Sequence, residues 1–308
     1  MASDRKFSSA ERETLLTRFA PTVVFHKDEK YFPINGFKTF NDNVVTDQNL
    51  NLTKIDLGDH TAGAQCFVSG DGTVYLQYFF SFTFSAAQQF VLRKRNGKQR
   101  TFEFQHLGEH NGDLEFMTFQ LSSDLSRVEY ILPSAHGTIT RTNEFNTTSS
   151  GNPILYCALG THAMYLKPGI QIINDSQFDS IFKYLIPIVF LGRYVSCNLC
   201  DVCADPIEGT LHSYTWTAQS GIQDFTPLRF CQETRELTRF ETETFYFGQP
   251  MDNTGLVAPK VPGGMILYLI ALFARMVGLL KNYASVTQQA PIGFINRREW
   301  LDPSALYP

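Results

Sequence analysis

Alternation of apolar and polar residues is the strongest pattern in the chain and predicts β-strands. It is clearest between residues 73 and 84, where every second side chain is apolar. Successive side chains of a strand point to opposite sides of the sheet, so these residues are expected to share one face. The apolar face includes Leu76, Tyr78, Phe80, Phe82 and Phe84, and the polar face includes Gln77, Ser81 and Thr83. We therefore expect a strand with one buried, strongly aromatic face.

Further short strands are predicted around this one, separated by residues that favour turns. The strand-like segments are 102–104, 114–121, 127–132 and 153–159, and the turns are Asn96-Gly97, Asn111-Gly112 and 122–124. Short strands at regular spacing favour a sandwich or a barrel. We expect a mainly β fold, either a sandwich or a partly closed barrel, with a few helices.

Helical patterns are expected at three places. The segment 9–19 is predicted to be a helix because Ser8 and Glu11 form a capping-box pattern and Pro21 disfavours its continuation. The segment 170–191 is apolar but interrupted, and is predicted to be a helix and connector. The interrupting residues are Asp175, Asp179, Lys183 and Pro187.

The third helix is predicted at 265–280, which is apolar almost all round and interrupted by Arg275. Its 16 residues fall short of the ~20 that a bilayer requires, so we expect a buried helix, with an interfacial helix as the alternative. The whole pattern predicts a single domain across 1–308. It consists of an N-terminal helix in 1–20, a β-rich core with the candidate site in 21–165, and a connector, further strands and the apolar helix in 166–308.

Composition narrows the classes of protein that this chain can represent. It has 308 residues, of which 43% are hydrophobic and 18% charged, which is enough apolar material for a sizeable core. The net charge of -4 argues against a nucleic-acid partner, and the basic run 93–100 is interpreted as a solvated hairpin turn. No signal-peptide pattern begins the sequence, so we expect a cytoplasmic protein whose six cysteines are thiols.

Three short segments with glycines carry histidines and carboxylates beside predicted strands. The candidate residues are His110, Asp113, Glu115, His136 and His162. Period-two geometry places Asp113 and Glu115 on the same face of their strand. The set fits an acid/base cluster, a divalent-metal site or a buried polar network that fixes turns. We favour metal-free acid/base chemistry and expect no cofactor, with a divalent metal as the alternative; His26 and Glu29 are further candidates.

Cysteine spacing suggests a second, weaker candidate site. Cys197, Cys200 and Cys203 have the spacing of a metal knuckle, with Cys231 or His212 as a fourth ligand. The alternative is that the cysteines are small buried hydrophobic residues, because the downstream spacing differs from that of common zinc ribbons and ferredoxins.

Aromatic residues suggest a pocket for an apolar small molecule. The chain has 27 phenylalanines and 13 tyrosines, and the pocket candidates are Tyr78, Phe80, Phe82 and Tyr165. An ordinary aromatic core is the alternative for each of them. No Walker pattern, phosphate-binding glycine loop or nucleophile elbow is present, which argues against P-loop NTPases, dinucleotide enzymes and α/β hydrolases.

Several of these motifs occur together, in order, in one family. They are the segment 19–33, the strand around Tyr78, His110-x-Gly-Asp-x-Glu115, Ser134-x-His-Gly137, Ala158-Leu-Gly-Thr-His-Ala-Met-Tyr165 with Pro168-Gly169, and Pro291-Ile-Gly with Trp300. The set resembles the Vps62-like proteins (vacuolar protein sorting-associated protein 62 type), although Leu114 stands where the family usually has tryptophan. The resemblance implies a link to vacuolar sorting but supplies no chemistry.

Three functions follow from these patterns. The first is binding of an apolar small molecule with an isomerase, cyclase or lyase type of acid/base step and no redox cofactor. The second is a non-enzymatic role in vacuolar sorting or at a membrane surface, through the segment 265–280. The third is a metal-dependent hydrolase built on the same histidines. We favour the first, with no nucleic-acid partner and with a membrane surface as the less favoured partner.

Overall fold

The computed structural model describes residues 7–26, 28–31, 33, 62–69, 71–86, 88–103, 110–133, 135, 141–173, 193–204, 214–217, 222–224, 265 and 269. The helix is α1 (Ser9–Arg18). The strands are β1 (Thr22–Phe25), β2 (Ala62–Val68), β3 (Val74–Ser85), β4 (Gln89–Arg93), β5 (Gln99–Glu103), β6 (His110–Leu121), β7 (Val128–Pro133), β8 (Ile154–Cys157), β9 (Met164–Tyr165), β10 (Gly169–Ile172), β11 (Ser196–Cys203), β12 (Tyr214–Thr217) and β13 (Ile222–Asp224). The fold of this part of the chain is mainly β, as the sequence predicts.

The strands form three sheets. The first has the order β12-β1-β8-β9, the second β10-β11-β4-β5, and the third β13-β2-β3-β6-β7. Within the third sheet β3 pairs with β6 over most of its length, from Tyr75 opposite Gln120 to Ser85 opposite His110. None of these sheets closes into a barrel within the described residues, so the sandwich alternative is the one observed.

The main hydrophobic core lies between the first and third sheets. The first sheet contributes alternate residues of β1 and β8, among them Val23 and Phe25. The third contributes the aromatic face of β3, including Tyr78, Phe80 and Phe82, as its alternation predicts. All three aromatic side chains are at most 1% exposed. Burying such large rings contributes most of the driving force for this packing.

The other face of β3 is buried as well, which the alternating pattern does not reveal. Gln77 is fully buried, and its side-chain amide donates a hydrogen bond of 3.0 Å to the hydroxyl of Thr118 on β6. Phe79 packs against Phe116 with ring centroids 6.3 Å apart. A polar residue is tolerated there because its amide has a hydrogen-bond partner.

Helix α1 begins and ends as predicted. Ser8 and Glu11 form the reciprocal capping box, in which Glu11 accepts from the Ser8 amide at 2.8 Å. At the other end, the Asn152 side-chain amide donates to the carbonyls of Arg18 and Ala20 at 3.0 and 2.9 Å. These bonds anchor the end of the helix to the segment that precedes β8.

The predicted turns have different outcomes. The Asn96-Gly97 hairpin between β4 and β5 is confirmed, with Gly97 at φ +82°. The turn at 122–124 is confirmed by the bond from the Leu125 amide to the Ser122 carbonyl at 2.8 Å. The turn predicted at Asn111-Gly112 is wrong, because Asn111 pairs with β3 and both residues lie inside β6. Pairing with a neighbouring strand outweighs local turn preference here.

Two helix predictions also differ from the structure. The segment 169–172 is strand β10, because it pairs with β11. The helix and connector predicted at 170–191 are therefore wrong where the two ranges overlap. Residues 174–192 lie outside the described residues. In the predicted helix 265–280, Met265 and Leu269 are helical and 62% and 56% exposed, and the rest lies outside the described residues. No helix in the described part of the chain has the length and hydropathy needed to span a membrane.

Candidate functional site

The candidate site is centred on His162, which lies in the turn between β8 and β9. Its amide donates to the carbonyl of Ala158 at 3.1 Å, and the Ala158 amide donates to Ala163 at 3.0 Å, which closes the turn. His162 has φ +57°, a left-handed conformation that is uncommon for residues other than glycine. Gly160, in the same turn, has φ +75°. The tight turn directs the imidazole into the space between the first and third sheets.

Two carboxylates flank the imidazole of His162. The Asp113 carboxylate lies 3.0 Å from Nδ1 and the Glu29 carboxylate lies 3.6 Å from Nε2. All three side chains are almost completely buried. The histidine therefore has one acidic group at each ring nitrogen, although the three residues are far apart in sequence.

Strand topology explains why these residues meet. Strands β1 and β8 are parallel neighbours, so the loops that follow them begin at the same end of the sheet. Glu29 follows β1 and His162 follows β8. Asp113 pairs directly with Phe82 across β3 and β6, and the Phe82 ring stacks on the imidazole with centroids 3.9 Å apart. The sheet register thus brings the carboxylate and the stacking ring to the same histidine.

Backbone amides hold the Glu29 carboxylate in place. One oxygen accepts from the amides of Lys30 and Tyr31, both at 2.8 Å, and the other accepts from the amide of Gly160 at 2.8 Å. Burial opposes ionisation, but the charge of His162 and these hydrogen bonds outweigh it and lower the pKa of Glu29. Glu29 is therefore ionised at neutral pH.

His162 is a cation at neutral pH. Burial lowers the pKa of an imidazole, but the charge of Glu29 and the hydrogen bond to Asp113 outweigh burial and raise the pKa of His162 to about 9. The Tyr31 ring meets the imidazole edge-on, with centroids 6.4 Å apart. The site is a buried imidazolium between two carboxylates, enclosed by aromatic rings.

The Nε2 atom of His162 is the exception to this network. It is buried and, among the residues that the structure describes, has no hydrogen-bond partner, since 3.6 Å to Glu29 exceeds hydrogen-bond length. Buried polar atoms almost always have partners, so an unsatisfied one needs an explanation. Nε2 therefore faces the Glu29 carboxylate at ion-pair distance without a hydrogen bond.

Glu115 lies near the same cluster, two residues along β6 from Asp113. It is half-buried and pairs with Phe80, on the face that carries Asp113. Burial raises the pKa of the Cys157 thiol, and the charges of Glu29, Glu115 and Asp113 raise it further. The prediction that Asp113 and Glu115 share one environment agrees with this arrangement.

A second polar cluster adjoins the first and is centred on Asp201. Its carboxylate accepts from the hydroxyls of Thr161 and Tyr165 at 2.7 and 2.6 Å and from the Gln88 amide at 3.3 Å. Asp201 is 1% exposed. Because Thr161 precedes His162, strand β11 is hydrogen-bonded to the histidine turn, as the Glu29 loop is through Gly160.

The structure places the other predicted site residues as follows. His110 begins β6 and pairs with Ser85, but its side chain lies outside the described residues. His136 also lies outside them. The pocket candidates Tyr78, Phe80 and Phe82 are in the core, and Tyr165 is partly buried against Asp201. Tyr78 donates from its hydroxyl to the Leu16 carbonyl at 2.8 Å. Of the five predicted catalytic residues, Asp113 and His162 are in contact.

The cysteine motif lies along the extended strand β11. Cys197 and Cys203 have the same parity along this strand and Cys200 has the other, so the three thiols do not converge. All three are buried, as small hydrophobic residues are, while Cys231 and His212 lie outside the described residues. The described residues include no group of three or more His, Cys, Asp or Glu arranged for a metal ion. The metal-knuckle interpretation finds no support in this geometry.

Sequence reasoning missed Asp201 and gave Glu29 a minor place. Asp201 stands inside an apolar, cysteine-rich strand, where a buried carboxylate needs hydrogen-bond donors. Its position in that strand was the signal that could have identified it. Glu29 stood in the family-like segment 19–33, but its partner depends on the pairing of β1 with β8. Neither partner is visible from local sequence.

Comparison with known proteins supports the family resemblance. The family model described as Vacuolar protein sorting-associated protein 62 matches residues 94–182, a stretch that includes Asp113 and His162. Curated proteins give no match. Among solved structures, the chain is similar to Necrosis and Ethylene inducing Protein 2 from the causal agent of cocoa's Witches Broom disease, with 15% identity and a TM-score of 0.33 over 53% of this chain and 69% of that chain. The match at 94–182 supports the resemblance to the Vps62-like proteins over these residues.

Proposed function

We propose that this Vps62-like protein uses His162 as a general acid toward an apolar small molecule. The observation that carries the proposal is the buried Nε2 atom, which has no hydrogen-bond partner while Nδ1 is held by Asp113. A pKa of about 9 keeps His162 protonated at neutral pH, so Nε2 has a proton to donate. An isomerisation, cyclisation or lyase-type step needs such a group and no redox cofactor.

Each neighbour has a separate part in this proposal. Asp113 is a positioning residue, because its bond to Nδ1 fixes the ring and stabilises the imidazolium. Glu29, near Nε2, takes the proton that the substrate must lose and passes it to Nε2, which restores the imidazolium. Phe82 and Tyr31 supply apolar walls next to the reacting atom. The substrate class that fits is apolar, with one oxygen that accepts the Nε2 proton.

Proton exchange tests the proposal without knowledge of the natural substrate. Wild-type protein and His162→Gln are incubated in D₂O with a panel of apolar ketones, and deuterium at the carbon next to the carbonyl is followed by NMR. We expect exchange above background in the wild type and its loss in His162→Gln. His26→Gln is the matched control, since His26 is partly exposed and hydrogen-bonds within its own turn. Equal exchange in wild type and His162→Gln, or none with any ketone, contradicts the proposal.

A divalent cation is the second candidate for the group at Nε2. The separation of 3.6 Å between Nε2 and the Glu29 oxygen is close to the roughly 3.4 Å between adjacent ligands of one tetrahedral zinc ion. Asp113 would then orient the ligating histidine. Further ligands would have to come from side chains such as His110 and His136, which lie outside the described residues.

The pH dependence of metal affinity distinguishes metal binding from proton donation. A cation displaces the Nε2 proton, so its affinity rises with pH through the pKa of His162. Calorimetric titration with zinc and manganese at pH 6 and pH 8 tests this, with His162→Gln as the comparison. Absence of His162-dependent binding at both values removes the second candidate and leaves the first intact.

A further inference from the structure

The hairpin between β4 and β5 concentrates positive charge at one exposed point of the protein. The run 93–100 has five Lys and Arg residues and no Asp or Glu. Subtracting these charges from the net charge of -4 leaves -9 on the remaining chain. Arg93, Arg95, Lys98 and Arg100 are exposed, and Lys94 is partly exposed. The run 93–100 is therefore strongly basic, whereas the rest of the chain has a net negative charge.

Neighbouring residues of the second sheet extend this basic tip, which we define as 93–100 together with 193–195. The Val195 amide donates to the Arg93 carbonyl at 2.8 Å, so the two segments are adjacent. Arg193 is exposed, and Val195 is exposed to 37%. Among the described residues, no ion pair of 4.0 Å or less involves the cations of the tip. Within the described part of the chain, the tip thus combines cations that form no ion pair with an exposed aliphatic side chain.

We propose that the basic tip docks the protein on a membrane surface that contains anionic phospholipid. Clusters of four to eight cations bind such surfaces, and each contributes roughly fivefold to the binding constant. The chain outside 93–100 has a net charge of -9, which the same surface repels, so the charges favour contact through the tip. Val195 lies where an aliphatic side chain can enter the interface between headgroups.

A single-stranded nucleic acid fits this surface less well than a membrane does. Its bases need exposed aromatic rings on which to stack. Tyr194, the aromatic residue in the tip, is 2% exposed, and its ring is already covered by Lys94 and Arg193 at 5.9 and 6.0 Å. The exposed aliphatic residue and the buried ring both favour a lipid surface.

Vesicle sedimentation tests the proposal with the full chain. Vesicles of phosphatidylcholine with about 30% phosphatidylserine are compared with pure phosphatidylcholine. We expect binding to the first and not to the second, and loss of binding as salt is raised. The tip variant Arg95→Glu/Lys98→Glu should bind at least roughly 30-fold more weakly. The folded state is checked by circular dichroism, and both substitutions are in an exposed turn.

A charge-matched variant separates the tip from net charge. Arg127→Glu/Lys167→Glu changes the net charge by the same amount at exposed positions elsewhere. We expect this control to stay within roughly threefold of wild type, since its charges lie outside the tip. Wild-type protein that fails to sediment with anionic vesicles overturns the proposal, as do equal losses in the two double variants. Tip-dependent binding of a 20-nucleotide single strand without vesicle binding also overturns it and identifies nucleic acid instead.

Discussion

Replacing Glu29 by glutamine removes a buried charge while keeping the size of the side chain. An amide has one acceptor oxygen, so glutamine accepts either from Lys30 and Tyr31 or from Gly160, and its NH₂ group faces the other donors. A buried donor left without an acceptor costs about 1–3 kcal/mol. The His162 imidazolium also loses one of its two carboxylates.

The pKa of His162 gives the size of the electrostatic contribution to the free energy of unfolding. Its rise from 6.5 to about 9 corresponds to roughly 3 kcal/mol, which is what the two carboxylates contribute after the cost of burial is subtracted. Removing one partner of a buried ion pair costs about 3–5 kcal/mol, so we expect Glu29→Gln to lower the free energy of unfolding by that amount at pH 7. Urea unfolding followed by circular dichroism measures the difference.

The pH dependence identifies the cause of this loss. A raised pKa contributes stability that is fully present below pH 6.5 and is lost as pH rises through about 9. The difference between wild type and Glu29→Gln should therefore shrink as pH rises from 6.5 to about 9 and level off above that. Glu144→Gln is the matched control: Glu144 and Lys167 form an exposed pair at 3.3 Å, so a change below about 1 kcal/mol is expected. Equal effects of the two substitutions, or a difference that is constant from pH 6 to pH 9.5, would refute the reasoning.

Three further substitutions test other parts of the fold. Gly160→Ala adds a methyl group 2.8 Å from the Ala86 side chain at φ +75°, whereas Gly97→Ala at φ +82° meets no atom within 4 Å. We expect Gly97→Ala to cost about 1–2 kcal/mol in thermal or urea unfolding and Gly160→Ala about 1–3 kcal/mol more; equal costs would contradict the close contact. Tyr78→Phe removes the bond to the Leu16 carbonyl and should lower the free energy of unfolding by about 1 kcal/mol without changing ketone exchange. A selective loss of exchange in Tyr78→Phe would instead place Tyr78 in a pocket.

The sequence predicts those features that depend on neighbouring residues. Alternation predicts β3 and its aromatic face, Asn96-Gly97 predicts the hairpin, and Ser8 with Glu11 predicts the start of α1. Period two along β6 also places Asp113 and Glu115 together. All these patterns arise from local geometry, which the order of residues records directly.

The remaining features depend on which strands become neighbours. Glu29 reaches His162 only because β1 lies parallel to β8, and no local pattern encodes that choice. Asn111-Gly112 has the composition of a turn but extends β6, since pairing with β3 stabilises the extended form. The segment 169–172 becomes a strand for the same reason, through its pairing with β11. Long-range pairing outweighs local preference at each of these positions.

The protonation state of His162 tests the central claim most directly. Protein labelled with ¹⁵N-histidine is followed by NMR from pH 5 to pH 10, and Asp113→Asn assigns the signal of Nδ1. We expect both ring nitrogens of His162 to carry protons at pH 7 and one proton to leave near pH 9. A neutral imidazole at pH 7, or one that titrates at or below pH 6.5, would contradict the buried imidazolium on which the proposed acid chemistry depends.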